Sequence, residues 1–274
     1  MTVKNTKAFA IIGDPIDHSL SPTIHNAAYR RLGMNCMYMA YRVRADELEE
    51  GVESLKEANI QGFNVTIPHK VSIMKYLDHY DQTCNIIGAT NTVRMKDGVS
   101  YGYNTDMDGF LKPLIDRKVQ LKDANVLLLG AGGSARAAAF GFIKHKVNSI
   151  RVCNRTISKA ELLSEFCREY GVSSDAGPIP DSIHAEFDIV VNSTSLGMGG
   201  GQPTDVKNIS PNTTVYDIVY RPITTPLLKQ ASEAGAQIIP GWEMLLHQAE
   251  LAFEILTDAK APSDAMRRSL LGGF

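Results

Sequence analysis

The chain has 274 residues, 44% of them apolar and 21% charged, with 28 basic against 30 acidic side chains and a formal net charge of −2. That length suits two domains better than one core. The balanced charge leaves no electrostatic footprint for nucleic acid or an anionic membrane. The apolar run near the N-terminus is too short for a secretory signal, and no stretch approaches a membrane span. Cys36, Cys84, Cys153 and Cys167 are scattered without C-x-x-C spacing. Neither a disulfide framework nor a zinc site is expected, and the chain reads as cytoplasmic.

Strand-like and helix-like segments alternate almost throughout, the pattern of an α/β protein with parallel sheets. AFAIIG (8–13) reads as a strand and PTIHNAAYRRL (22–32) as a helix, with Gly33 where a helix-ending glycine belongs. A strand over 37–43, a helix over 45–58 and a strand over GFNVTI (62–67) follow. Pro68 then reads as the first residue of a helix running through VSIMKYL, which puts Lys70 in its first turn. ATNTVRMKDGVSYGYNTD (89–106) interrupts the alternation, because two runs flank Asp97-Gly98, a strong hairpin signal. The rhythm resumes with a helix over 106–117 and a strand over NVLLLG (125–130), placing a domain boundary near Asn104. GMGGGQPTD (197–205) reads as a mobile loop.

NVLLLGAGGSARAAAFGF (125–142) passes from an apolar strand through glycines directly into a helix pattern. Gly130-x-Gly132-x-x-Ala135 fits the dinucleotide fingerprint in that context, with Ala131, Gly133 and Ser134 completing the turn. The glycines let the backbone approach a pyrophosphate, and the helix amides complement its charge. Glycines alone serve ordinary tight turns too; the flanking strand and helix favour the cofactor. The next strand, SIRVCN (149–154), leads to Asn154, Arg155, Thr156 and Lys159, with no carboxylate to meet a free ribose 2′-hydroxyl. A guanidinium and an ammonium suit a 2′-phosphate instead. NADP is the expected cofactor.

GDPIDHSLSPTIHN (13–26) lies between the first strand and first helix, where α/β sheets collect ligands. Ser21-Pro22 reads as an N-cap followed by Pro at the first helical position. Ser19 adds a second hydroxyl, making a neutral cradle for a carboxylate, although Ser21 equally well caps only its own helix. His18 and His25 are assigned no chemistry. Asp106 reads as a helix cap and Asn91 as a turn residue, unless a ligand claims them. Gln248 stands out on the helix WEMLLHQAELAFEI (242–255), where its same-face neighbours Met244, Leu245, Leu251 and Ala252 are apolar. Its amide needs partners, from the backbone or from a polar ligand.

Taken in order, GDPIDHSLSP, NVTIPHK, GATNTV, GYNTD, GAGGSARA, NRT, DIVYRP and GWEMLLHQA resemble the motifs of the shikimate dehydrogenase family over essentially the whole chain. The resemblance implies an N-terminal three-layer α/β substrate domain, residues 1–104 with 243–274, and an inserted Rossmann NADP-binding domain, residues 105–242. It implies NADPH-dependent reduction of 3-dehydroshikimate to shikimate, a step of aromatic amino acid biosynthesis, by a monomer or, more in keeping with the family, a homodimer. By motif, Ser19 and Ser21 would bind the substrate carboxylate. Thr66, Lys70, Asn91, Asp106 and Gln248 would contact its hydroxyls and reacting oxygen, and Tyr220 would help close the site. Gly130, Ala131, Gly132, Gly133, Ser134, Ala135, Asn154, Arg155, Thr156 and Lys159 would hold NADP. Thr194, Met198 and Gly241 would line the nicotinamide side.

Thr90, Cys84 and Ser195 depart from residues common in the family, and 197–201 is unusually glycine-rich; these bear on loops and rates. A quinate enzyme of the same fold is the nearest rival, and a Thr at the second of the two serine positions often accompanies quinate use. A catalytically silent paralogue binding NADP and a shikimate-like ligand is the rival from another class, and the intact Lys70 and Asp106 argue against it. A helix N-terminus would disfavour the Lys70 ammonium while a carboxylate such as Asp106 would favour it. Such opposed influences bring a lysine into range for proton transfer. Lys70 would then stabilise and protonate the alkoxide formed at the reduced carbonyl, with Asp106 orienting it.

Overall fold

The computed structural model describes residues 6–183, 186–198, 201–207 and 209–272. The chain divides into two units: one ends at Thr105 and resumes at Gln248, and the other runs Asp106–His247.

The first unit opens with β1 (Lys7–Gly13), α1 (Ser21–Leu32), β2 (Cys36–Arg42), α2 (Leu48–Glu57) and β3 (Gly62–Val65). β4 (His79–Tyr80), α3 (Gln82–Ile87), β5 (Thr92–Lys96) and β6 (Val99–Tyr103) follow. The strands form one mixed sheet in the order β2-β1-β3-β5-β6-β4. Local signals act as expected where sterics decide. Gly33 ends α1 with φ +62°, and Asp97 and Gly98 both take positive φ in the β5–β6 turn, whose twist then matches its strands. Alternate β1 residues face opposite layers. Phe9 meets Tyr29 of α1 with ring centroids 5.7 Å apart, whereas Ala10 and Ile12 join Val52, Leu55, Phe63 and Val93 on the α2 side.

The helix expected after Pro68 does not form. Residues 67–71 make a turn, and only a 3-10 helix, Ser72–Tyr76, follows. In an α-helix the Lys70 carbonyl would accept from Met74; here it accepts from the Thr90 N–H at 2.8 Å, and Met74 N–H reaches back to Val71 at 3.4 Å. A tertiary partner has taken the bond the helix needed.

The second unit contains α4 (Asp106–Asp116), β7 (Asn125–Leu129), α5 (Gly133–Lys144), β8 (Ser149–Cys153), α6 (Ile157–Glu169) and β9 (Ser173–Gly177). It continues with β10 (Ser182–Ile183), β11 (Ile189–Asn192), β12 (Asp205–Val206), β13 (Thr214–Asp217), α7 (Pro226–Glu233) and β14 (Gln237–Pro240). Its main sheet is wholly parallel in the order β14-β13-β11-β7-β8-β9. The winding reverses between β7 and β11, which makes their carboxyl ends the topological switch point. Register sets the strand ends level: Leu129 pairs with Cys153 and Asn192, Asn192 with Asp217, and Asp217 with Pro240. Strands buried on both faces explain the unbroken apolar run of β7. In the glycine-rich stretch, Gly199 and Gly200 lie outside the described residues.

α8 (Gly241–Thr257) and α9 (Ser263–Leu271) complete the chain. The sequence reading returns the chain at 243, but the units divide at 247/248 because the first turn of α8 is held in the second unit. Arg117 donates to both carboxylate oxygens of Glu243, at 2.7 and 2.6 Å. Its last turns belong to the first unit, where Arg94 donates to the Ile255 carbonyl at 3.1 Å. α9 packs on α1, with Ser269 donating to the Thr23 carbonyl at 3.0 Å. Among the described residues, no helix is long and apolar enough to cross a membrane, and no group of His, Cys, Asp or Glu could hold a metal ion.

Candidate active site

In the second unit, Gly130 follows β7 with φ +108°, and a Cβ there would lie 2.4 Å from the Ser193 hydroxyl. Ser193 is fixed in turn: its N–H and hydroxyl both donate to the Leu129 carbonyl, at 2.7 and 2.6 Å. Only glycine fits where the ends of β7 and β11 approach this closely. Gly132 differs, because a Cβ on it would meet nothing within 4 Å, so the backbone is open to a ligand. Gly133, Ser134 and Ala135 form the first turn of α5, whose leading amides receive no side-chain cap. Ala135 is buried, which closes helix against sheet.

A cavity of about 160 Å³ is lined by Ala131, Gly132, Asn154, Arg155, Thr156 and Lys159. Asn154 shapes the loop by donating its amide to the Thr156 carbonyl at 2.9 Å. Thr156 precedes α6 without capping it. Arg155 and Lys159 are exposed, and among the described residues neither has an ion-pair partner. Two cations, two uncapped helix starts and no carboxylate in the lining suit a phosphorylated ribose and its pyrophosphate.

The remaining positions on this unit are held for identifiable reasons. Thr194 donates its hydroxyl to Asn192 Oδ1 at 2.7 Å, and Met198 is exposed. Tyr220 is partly buried, which pushes its phenol pKa up, while Arg221 opposes the shift. A Cβ on Gly241 would lie 2.3 Å from the Ile218 carbonyl, so backbone packing by itself demands that glycine. Asp106 opens α4, 3% exposed, where the helix dipole favours a carboxylate.

In the first unit, Ser21 is not the N-cap. Leu20 occupies that position with φ −87° and ψ −5°, already helical, so Ser21 is the first helical residue and Pro22 the second. A capping hydroxyl needs extended backbone at the cap, which Leu20 lacks. Ser19 takes part of the duty, accepting the Ser21 N–H at 3.3 Å. Both hydroxyls still lie at the start of α1, Ser21 buried and Ser19 half-buried. His18 is exposed; His25 is buried, stacks on Tyr38 at 4.3 Å, and is pushed down to about 3 by burial.

Thr66 donates its N–H to the Ile12 carbonyl and accepts from His69 N–H, both at 2.9 Å. The buried His69 ring pairs through Nε2 with the Val43 carbonyl at 2.6 Å. With the Thr90–Lys70 bond, these contacts hold the backbone of the half-buried Lys70. Asn91 is deeply engaged. Its Oδ1 accepts Thr105 N–H at 2.8 Å, and its Nδ2 donates to the Thr105 hydroxyl at 2.9 Å and to Gln248 Oε1 at 3.4 Å. The Gln248 amide thus meets a side chain, a partner the sequence reading did not name.

The sequence reading also missed the supports. Tyr38 donates to Asn64 Oδ1 at 2.6 Å, and Asn64 donates to the Asn91 carbonyl at 3.0 Å and the Thr92 hydroxyl at 2.9 Å. A signal existed: an asparagine inside a strand buried on both faces requires bonded partners. The same holds for Asn192 and Asp217, at the ends of β11 and β13.

A doubly wound parallel sheet with a glycine turn and a basic cavity at its carboxyl edge, joined to a second α/β unit, defines a Rossmann-type dinucleotide-binding protein. Residues 11–93 match the model of the shikimate dehydrogenase substrate binding domain, 113–218 that of shikimate/quinate 5-dehydrogenase, and 241–271 that of the shikimate 5′-dehydrogenase C-terminal domain. A shikimate dehydrogenase (NADP(+)) of Nitrosopumilus maritimus is 53% identical over 271 residues, covering 98% of this chain and 99% of the relative. The chain belongs to the shikimate dehydrogenase family. Among solved structures, a shikimate dehydrogenase in complex with NADP+ superposes with TM-score 0.87 at 37% identity, over 97% of this chain and 95% of that one. The ligand-free 5-ketofructose reductase of Gluconobacter sp. strain CHM43 superposes with TM-score 0.88 at 28% identity, over 99% of this chain and all of that one.

Proposed function

We propose that this chain is a shikimate dehydrogenase, reversibly reducing the ketone of 3-dehydroshikimate to shikimate with NADPH as a step of aromatic amino acid biosynthesis. The observation that carries the reading is the 53% identity, end to end, with an NADP-dependent shikimate dehydrogenase. The cavity formed by the glycine turn with Arg155 and Lys159 supports the choice of cofactor. Gly130 to Ala135 would hold the pyrophosphate, Asn154, Arg155, Thr156 and Lys159 the phosphorylated ribose, and Thr194, Met198 and Gly241 would line the nicotinamide side. NADPH, when bound, supplies the hydride.

The protein's own side chains would do the rest. Ser19 and Ser21 hold the substrate carboxylate, with Thr66, Asn91, Asp106 and Gln248 on its hydroxyls, and Tyr220 helps close the site. Lys70 gives its Nζ proton to the oxygen of the reduced carbonyl. Its role rests on the ammonium and on the pinned turn beneath it, not on a helix end, and a catalytic group held on a fixed backbone loses less entropy on reaching its reactive pose. The first unit serves as substrate domain and the second as NADP domain. We place the enzyme in the cytoplasm, as a homodimer.

Quinate is the second reading, since the model matching 113–218 covers shikimate and quinate enzymes alike. Serine at 21 favours shikimate. Following NADPH absorbance with shikimate and quinate, each against NADP and NAD, tests the proposal. Rapid turnover of shikimate with NADP is expected, and absence of that reaction in the folded protein would overturn it.

A further inference from the structure

We propose that Asp217 is a positioning residue for the nicotinamide side, setting the backbone of residues 193–198 and 218–225 through Asn192 and Thr225. This rests on the reading above, in which Thr194, Met198 and Tyr220 lie on that side.

Asn192 and Asp217 are register partners at the carboxyl ends of β11 and β13, the row from which ligand-binding loops leave a parallel sheet. Asp217 is wholly buried. Its Oδ1 accepts Asn192 Nδ2 at 2.9 Å and Val219 N–H at 3.0 Å, and its Oδ2 accepts the Thr225 hydroxyl at 2.6 Å. Asn192 extends the chain of bonds outward: Nδ2 also donates to the Leu196 carbonyl at 3.0 Å, and Oδ1 accepts both the N–H and hydroxyl of Thr194, at 3.0 and 2.7 Å. The Thr194 hydroxyl then accepts Leu196 N–H at 3.1 Å. Gly197, at φ +116°, lies over Thr225, and a Cβ on it would be 3.6 Å from Thr225 Cγ2. One carboxylate therefore ties together the loop carrying Thr194 and Met198 and the loop carrying Tyr220.

The chemistry explains why this residue is an acid. Three donors converge on the two oxygens, and an asparagine would turn an N–H₂ toward at least one of them. Burial raises the carboxyl to about 6, the bonds from Thr225, Val219 and Asn192 oppose that rise, and no charged side chain contributes. A buried carboxylate is retained here at a cost to folding, which is common where geometry must be held for function.

The test compares Asp217→Asn, Thr225→Val and the conservative Thr225→Ser in the full chain. Dissociation constants are measured for NADP+ and for adenosine 2′,5′-bisphosphate, which has the 2′-phosphate but no nicotinamide, together with kcat for shikimate oxidation at saturating cofactor. Asp217→Asn and Thr225→Val should weaken NADP+ and lower kcat by about tenfold or more, the scale of one charge-assisted hydrogen bond, while the bisphosphate changes by less than about twofold. Thr225→Ser should restore both. Should Asp217→Asn fail to fold, the two Thr225 variants decide. Unchanged NADP+ affinity and kcat, or equal losses for both nucleotides, would overturn the proposal. A wild type inactive on shikimate refutes the assigned reaction instead, and the two-nucleotide comparison still judges the loops.

Discussion

Replacing Arg155 with alanine should convert a strong NADP preference into a weak one. Arg155 stands exposed on the cavity rim beside Lys159. A hydrogen bond to a charged group contributes about 1.5–3 kcal/mol. Solvent competes at an exposed side chain, so the lower half of that range applies, and Lys159 remains to hold part of the phosphate charge. The expected loss for NADP+ is therefore about 13- to 45-fold in Kd. NAD+ has no 2′-phosphate, so its Kd should move by less than about twofold and the selectivity should fall by nearly the whole factor. Lys159→Ala should cost less, because an ammonium is a point charge without the planar fork of a guanidinium. Calorimetric titration of each variant with both nucleotides measures these constants, and repeating it at higher salt should shrink the NADP+ effect as screening grows. Equal losses for NADP+ and NAD+, or no loss for NADP+, would refute the assignment of this cavity to the 2′-phosphate.

Three further outcomes are expected. Lys70→Met keeps much of the side-chain length and deletes the ammonium; kcat should fall about 10²–10⁴-fold with a much smaller change in KM for shikimate, and a folded variant with near-normal turnover would remove Lys70 from the chemistry. The double variant Ser19→Ala, Ser21→Ala should raise KM for shikimate and leave NADP+ affinity nearly intact, and a wild type that uses an amide analogue as well as shikimate would show the cradle to be misassigned. Asp217 should also leave a mark on stability. Its carboxyl is raised from 3.8 to about 6, so the folded state holds the proton more tightly and stability falls as pH rises through that interval. The difference between wild type and Asp217→Asn should change by about 3 kcal/mol across it; denaturation curves whose separation stays constant from pH 4 to about 6.5 would contradict this.

What could be read from the sequence follows the range of the forces involved. The alternation of apolar runs, Gly33 at the end of α1, the Asp97-Gly98 turn and the glycine turn after β7 were legible because backbone sterics and periodicity act within a few residues. That the glycine turn and the Asn154–Lys159 loop share one cavity was nearly as legible, since Ala131, Gly132 and Asn154 to Lys159 follow consecutive strands that pair directly. The turn bearing Lys70 was not: it depends on a hydrogen bond to Thr90, which only the packing of the sheet brings near. Ser21 moved one place because Leu20 is already helical. The Gln248 amide meets Asn91, 157 residues away in sequence, and Asp217 meets Asn192 only because β11 and β13 are neighbours in that register. Residue types and local spacing determined most of the elements, the segment after Pro68 excepted, and announced that the Gln248 amide needs a partner. Strand order and register, with the packing of α8 and the start of α7, decided who the partners are, because a buried hydrogen bond depends on ångström-scale placement of groups that the linear chain keeps far apart.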